Sequence, residues 1–254
     1  DYQDFEKRYL EDTDSSPLQL FDFFQDMDSN QFSQELRLAG ETERMRWTTG
    51  VYFLNIDSSY RTGVDGAGTQ TSGGAPTDQD FLGAIGISLD NLYTLETETY
   101  AVFGQLEFDI NDQFTVIGGL RWTEDKKKLD FVPQCGFLSG LADISNANCQ
   151  GVFGPIVQEI GLVQTVSEGD WSGHIELDYR PNDDWLTYAK ITRGHKAGGF
   201  NAAATAFFLP EEAAYGSEIP VTYEIGAKGT FWDGRARLGA SAFYIDYKDF
   251  QTFT

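Results

Sequence analysis

Two histidines stand in this sequence, and His174 is followed two positions on by Glu176. On a β-strand that spacing puts an imidazole and a carboxylate on one face. Such a pair can touch a metal or a polar substrate, or can simply join a hydrogen-bonded network on a wet surface. Asp26-x-Asp28-x-Asn30 begins in the manner of a calcium loop. Gln31 stands where the obligatory glycine belongs, however, and Arg37 where the bidentate glutamate belongs. With Asp12, Asp14 and Asp22 nearby it reads as a solvated anionic segment. GVDGAGTQTSGGAP (Gly63–Pro76) is rich in glycine but lacks the lysine and the strand-to-helix setting of a phosphate loop. No G-x-S-x-G elbow and no H-E-x-x-H helix occurs. The expectation is a protein that is not an enzyme, with no cofactor and no bound metal.

The elements that must carry these residues are strands. FGQLEFDINDQFTVIGGLRW (Phe103–Trp122) alternates on both sides of Asn111-Asp112. Tyr100, Val102, Leu106, Phe108, Ile110, Phe114, Val116, Leu120 and Trp122 share one face. Gln105, Glu107, Asp109, Thr115 and Arg121 share the other. The same period places Ser172, His174, Glu176 and Asp178 opposite Trp171, Ile175, Leu177 and Tyr179. It likewise places Thr222, Glu224, Lys228 and Thr230 opposite Val221, Tyr223, Ile225, Ala227 and Phe231. About nine strands are expected, near 1–9, 30–39, 44–56, 92–110, 113–131, 169–180, 184–200, 219–232 and 235–253. Tight turns at 40–43, 111–112, 181–183 and 233–234 alternate with long connections near 10–29, 57–91, 132–168 and 201–218. All the short turns therefore fall at one end of a meander and all the long loops at the other.

That asymmetry separates two meanings of the apolar faces. In a secreted, soluble all-β binding domain they would be a core. In a transmembrane barrel they face lipid, with the polar faces around a wet interior. No apolar run approaches the roughly 18 residues of a spanning helix, but a spanning strand needs only about 9–11 alternating ones. Trp47, Trp122, Trp171, Trp185 and Trp232 lie near strand ends, as an interfacial girdle requires. A net charge of −22 argues against a nucleic-acid partner, since phosphate is bound by Lys and Arg. Cys135 and Cys149 either close a local disulfide loop in an oxidising compartment, worth roughly 3 kcal/mol, or are two unrelated thiols.

FSQELRLAG (Phe32–Gly40), YAVFGQLEFDINDQFTVIGGLRWTEDKK (Tyr100–Lys127), YAKITRGHKAGGFN (Tyr188–Asn201) and YEIGAKGTFWDGRARLGASAFYIDYKDFQ (Tyr223–Gln251) resemble the barrel of TonB-dependent outer-membrane receptors. The resemblance implies an all-β fold, an antiparallel 22-stranded transmembrane β-barrel closed around an N-terminal plug. It also implies energy-coupled uptake of a ferric siderophore or another scarce ligand, driven by TonB through an N-terminal box. Plug, box and closing strand are missing from this sequence, which opens at Asp1 without an initiator Met. The expectation is a barrel portion, with TonB reached through a missing N-terminal segment. A passive porin-like channel is the alternative among membrane barrels.

The inward faces are expected to carry Glu107, Arg121, His174, Glu176, Glu224 and Lys228. TRGHKAGGFNAAATAFF (Thr192–Phe208) leaves the wall at a barrel mouth, where Arg193, His195 and Phe200 are the candidate ligand contacts. Lys126, Lys127 and Lys128 rise toward the outside, where lipopolysaccharide phosphates or water would meet them.

Overall fold

The computed structural model describes residues 1–12, 21–66, 87–137, 150–151, 154–155, 162–201 and 213–252. Thirteen strands occur in chain order. They are β1 (Tyr2–Asp12), β2 (Phe21–Glu41), β3 (Met45–Gly66), β4 (Ile87–Asp109), β5 (Phe114–Phe137), β6 (Gln150–Gly151), β7 (Gly154–Pro155), β8 (Leu162–Asn182), β9 (Trp185–Arg193), β10 (Gly199–Phe200), β11 (Ala214–Tyr215), β12 (Ile219–Phe231) and β13 (Ala236–Lys248). No helix forms among the described residues.

Nine of these strands make one antiparallel sheet in the order β1-β2-β3-β4-β5-β8-β9-β12-β13. Neighbours in space are neighbours in sequence once the two small ribbons, β6–β7 and β10–β11, are set aside. The nine expected strands correspond to these nine. Five of them run well beyond their expected ends: β2, β3, β4, β5 and β8 have 21, 22, 23, 24 and 21 residues. Residues 21–29 and 57–66, read from sequence as loop, are paired strand. The correction in the other direction is β9, which stops at Arg193 rather than at residue 200. The Asp26/Asp28/Asn30 segment is thus extended ladder, not the loop a calcium site needs.

Local chemistry sets the short turns. Asn111 Oδ1 accepts from the Gln113 and Phe114 amides at 2.9 and 3.0 Å. Asn182 Oδ1 takes the Asp184 amide, and Thr42 Oγ1 the Met45 amide. These are side-chain-closed turns of the kind Asn and Thr favour. Between β12 and β13 the chain reverses through Trp232, Asp233 and Gly234, all with positive φ. That conformation normally belongs to Gly or Asn, yet here a tryptophan that is 74% exposed holds it.

The sheet has two chemically different faces. On β4, β5 and β8 the outer face runs Tyr100–Phe108, Phe114–Trp122 and Trp171–Tyr179, each about one bilayer-crossing strand long. Leu120, Ile175 and Ile225 are 61, 57 and 64% exposed. Nothing among the described residues covers this face. Beyond Trp122 and Trp171 the same face turns charged. The rows Asn55–Glu98–Lys126–Ser167 and Asp57–Glu96–Lys128–Thr165 cross four strands, with Lys128 Nζ 3.2 Å from Glu96 and Lys126 Nζ 3.8 Å from Glu98. The buried hydrophobic cluster is small and lies on the inner face away from the short turns. It comprises Tyr93, Leu129 and Phe131, with Tyr60 and Phe200 packed against it.

Candidate functional site

The inner face is built by register. One row of directly opposed residues crosses seven strands: Arg46, Glu107, Ile117, Glu176, Lys190, Glu224 and Phe243. Its charges alternate in sign across most of the wall, as cross-strand neighbours should. Arg46 Nε lies 3.1 Å from Glu107, and its two terminal nitrogens donate to Asp109 at 2.7 and 3.0 Å. Thr115 donates to the same carboxylate at 2.8 Å. Lys190 Nζ is 3.4 Å from Glu176, and Tyr188 donates to Glu224 at 2.6 Å. Lys228 sits over the Tyr188 ring and Arg121 over those of Tyr52 and Phe103.

Register gives Glu107, Arg121, His174, Glu176, Glu224 and Lys228 one shared face of the sheet. Their partners Arg46, Tyr188 and Lys190 escaped the sequence reading, which had placed Asp109 beside Glu107. The signal available was the period of two along β3 and β9, strands to which the sequence reading assigned no inward face. His174 lies flat against its opposite neighbour Gly119, where a Cβ would meet the imidazole at 2.7 Å. Among the described residues no group of three or more His, Cys, Asp or Glu side chains converges to hold a metal. His174 and Glu176 share the polar face with Lys190 and Thr192.

At the end remote from the short turns the chain does something different. After Arg193 it leaves β9 and forms the ribbon β10–β11, with Gly199 opposite Tyr215 and Phe200 opposite Ala214. The ribbon emerges between β9 and β12 yet reaches back over β8, β5 and β4. Gly198 N–H donates to Glu168 on β8 at 3.1 Å. Gly198 C=O accepts from Lys127 Nζ on β5 at 2.6 Å. Phe200 packs on the cluster of Tyr93 (β4), Leu129 and Phe131 (β5), beside the Tyr60–Tyr93 stack of 4.6 Å between centroids. The base is bolted by reciprocal amide bonds between Lys196 and Glu218, both 2.9 Å. Gln251 adds its amide to the Glu218 carboxylate and its side chain to the Gly216 carbonyl, each at 2.8 Å. Gly198 and Gly199 are required here: a Cβ on either would run into Tyr215.

The three expected ligand contacts part company at this point. His195 and Phe200 belong to the ribbon, Phe200 half-buried in the cluster and His195 with a buried Nε2 that has no hydrogen-bond partner. Arg193 does not join them. Its register places it opposite Gly173 and Val221, on the parity of the outer face. Its guanidinium stacks on Trp171 at 4.3 Å, donates to Asp170 at 2.7 Å and also reaches the Trp171 carbonyl. Glu168 lies past the Trp171 boundary of the apolar band. Burial opposes its charge, but hydrogen bonds from Ser217 and the Gly198 amide, with His195 nearby, hold its pKa below the usual carboxylate value. The expected Cys135–Cys149 disulfide falls outside the described residues, which include neither Cys149 nor the Cys135 side chain.

Comparison with known proteins matches this wall to one family. A family model described as TonB dependent receptor-like, beta-barrel, matches residues 1–254. The pesticin receptor of Yersinia enterocolitica serotype O:8 is 26% identical over 229 residues, covering 89% of this chain and 28% of that protein. The crystal structure of the ferric yersiniabactin uptake receptor FyuA from Yersinia pestis superposes with a TM-score of 0.68 at 21% identity, over 91% of this chain and 30% of that one. The siderophore receptor PiuA from Acinetobacter baumannii gives 0.57 at 16% identity, over 87% and 32%. The chain thus spans less than a third of the length of each of these proteins.

Proposed function

This chain belongs to the TonB-dependent receptor-like β-barrel family, and from that premise we propose that it forms part of the wall of an outer-membrane transporter importing a scarce ligand, a ferric siderophore-type complex first. The observation that carries the reading is the two-faced sheet: an uncovered apolar band one bilayer deep outside, and a charge-paired polar wall inside. The short turns then face the periplasm, and the long connections with the ribbon face the exterior. Lys126 and Lys128, just above the tryptophan boundary and paired with Glu98 and Glu96, would meet lipopolysaccharide phosphates there. Binding at the exterior end and energy from TonB complete the cycle, with no covalent chemistry on the ligand. The named cargoes of the two receptor structures above, yersiniabactin iron and siderophores, support iron complexes as the first class to try.

The experiment is uptake of radiolabelled iron on a panel of catecholate, hydroxamate and phenolate siderophores. Cells carrying the full-length receptor are compared with cells lacking it, in tonB-competent and tonB-null backgrounds. Uptake of one complex that needs both receptor and TonB supports the proposal. Uptake that needs the receptor but not TonB would instead favour a passive channel.

A further inference from the structure

Across the middle of the polar face one cation is left unmatched. The row Arg37–Gly50–Phe103–Arg121–Ser172 crosses β2, β3, β4, β5 and β8 by direct opposition. The next row toward the short turns, Thr48–Gln105–Gly119–His174–Thr192, holds no carboxylate. Carboxylates return in the rows on either side, and cations meet them there: Arg37 pairs with Glu35, Arg193 with Asp170, Arg46 with Glu107 and Lys190 with Glu176. Arg121 has no such partner among the described residues. Its Nε donates to Thr123 at 3.0 Å, which leaves both terminal nitrogens without an acceptor there. Phe103 instead draws two guanidiniums together. Its ring lies over Gly50, whose missing side chain clears the way from β2. Arg37 stands 5.7 Å from the ring centroid and Arg121 5.8 Å, with Arg121 also 5.3 Å from that of Tyr52. An aromatic face attracts a cation but does not cancel its charge. Two like charges gathered on one ring repel, and Glu35 answers only one of them. We propose that Arg121 and Arg37 about the Phe103 ring, with Ser172 and His174 beside them, form a carboxylate-binding site on the wall of the transport path. This rests on the reading of the polar face as that path.

The donor set suits a planar carboxylate. The free edge of Arg121 is its pair of terminal nitrogens, the fork that holds a carboxylate through two parallel bonds. Ser172, directly opposite Arg121 on β8, has a hydroxyl with no partner among the described residues. His174 follows two positions on, flat against Gly119. Phe103 and Tyr52 add ring surface that an aryl carboxylate would cover. In a chain of net charge −22 this band attracts anions, and the carboxylate rows on either side confine them to it. Arg121 adjoins Trp122, which puts the site at the exterior edge of the apolar band. The carboxylate has two sources, an imported complex that bears one or the receptor's own chain inside the barrel, and both would meet the same fork.

The test uses the full-length receptor purified in detergent, with 4-fluorobenzoate as the probe and 4-fluorobenzamide as its neutral control, both read by fluorine NMR. Arg121→Gln is expected to weaken benzoate binding about tenfold or more, the scale of lost hydrogen bonds to a charged group. The benzamide should not respond to the change. Lys126→Ala, on the opposite face of the same strand, should bind benzoate as the unaltered receptor does. Heat-modifiable gel mobility checks that each variant still forms a barrel. Uptake identifies an imported source: Arg121→Gln should raise KM several-fold for ferric complexes with a free carboxylate and leave it unmoved for those without. A shift in neither, or an equal shift in both, overturns the site's place on the path. Where the receptor's own chain supplies the carboxylate, the unaltered receptor takes no probe. Arg121→Gln then lowers its urea midpoint by an amount that Arg121→Lys restores and high salt erases. Benzoate binding that Arg121→Gln leaves intact overturns the site, as does the lack of both probe binding and a salt-sensitive midpoint. If the receptor imports no ferric complex yet binds benzoate through Arg121, the transport reading fails and the site stands.

Discussion

Tyr188 on β9 lies flat across Gly226, the residue directly opposite it on β12, so closely that a Cβ at 226 would sit 2.5 Å from the ring carbons. The pattern recurs: Phe103 covers Gly50, His174 covers Gly119, and on the outer face Trp47 covers Gly40. Each aromatic ring fills the space of a missing side chain one strand away, which fixes register between the pair.

Filling that space should therefore be costly where the ring cannot leave. Gly226→Val is expected to destabilise the barrel by about 1–3 kcal/mol, the usual range for overpacking. Gly216→Val, at a position with nothing near its Cβ, should not. The temperature at which the folded band disappears on a semi-native gel measures both.

The two faces predict opposite tolerance to charge. Ile175 is at the middle of the outer band on β8, so Ile175→Arg should cost about 2–4 kcal/mol, as arginine does at the bilayer midplane. Thr192→Lys, on the inner face beside Glu176 and His174, should assemble nearly as well as the unaltered protein. Recovery of heat-modifiable barrel from outer membranes distinguishes the two.

The Gly198 amide bond to Glu168 should weaken in acid. Glu168 has its pKa depressed in the folded protein below its usual 4.5. The stability it supplies is therefore present above that value and is lost as pH falls through the lower, folded one. Groups facing it are Lys127, Asp125, Asp170 and His195, with Ser217 donating. Hydrogen exchange at 194–201, corrected for its intrinsic pH dependence, should rise as pH drops from 6.0 toward 3.0. In Glu168→Gln the corrected rates should stay flat.

Tyr93 makes the alkaline counterpart. Burial, with Tyr60 stacked beside it, pushes its pKa up from 10.0 to about 12. A raised acid pKa means that stability is intact below 10.0 and is lost as pH rises through about 12. The difference absorbance titration of the unaltered protein minus Tyr93→Phe should show one phenol ionising near the upper value.

Much of this architecture is legible in the sequence because a strand's period of two survives in β4, β5, β8 and β12, where every second residue is apolar. That parity alone is enough to group Glu107, Arg121, His174, Glu176, Glu224 and Lys228 on one face. The long extensions of β2 and β3 were illegible for a physical reason. Past the lipid band the outer face loses its apolar residues: Asp26, Asp28, Asp57 and Ser59 hold the parity that Leu36, Leu38 and Val51 hold nearer the short turns, so the stretch looks like loop. Arg193 was expected at the mouth from its chemistry, and its parity is that of Ile191. Only the Trp171 ring and Asp170 beside it explain an arginine there. The ribbon's contacts were invisible, since one such as Lys127 to Gly198 joins residues 71 apart in sequence.

The extension of β5 from Thr123 to Phe137, paired throughout with β4, gives the wall the character of a chimney. At about 3.3 Å per residue and a tilt near 45°, that stretch raises the rim roughly 35 Å clear of the bilayer. Backbone bonds along it hold a shape that a water-filled loop of equal length would give up to diffusion. A large body approaching the cell surface would meet this stiff rim before it met the membrane.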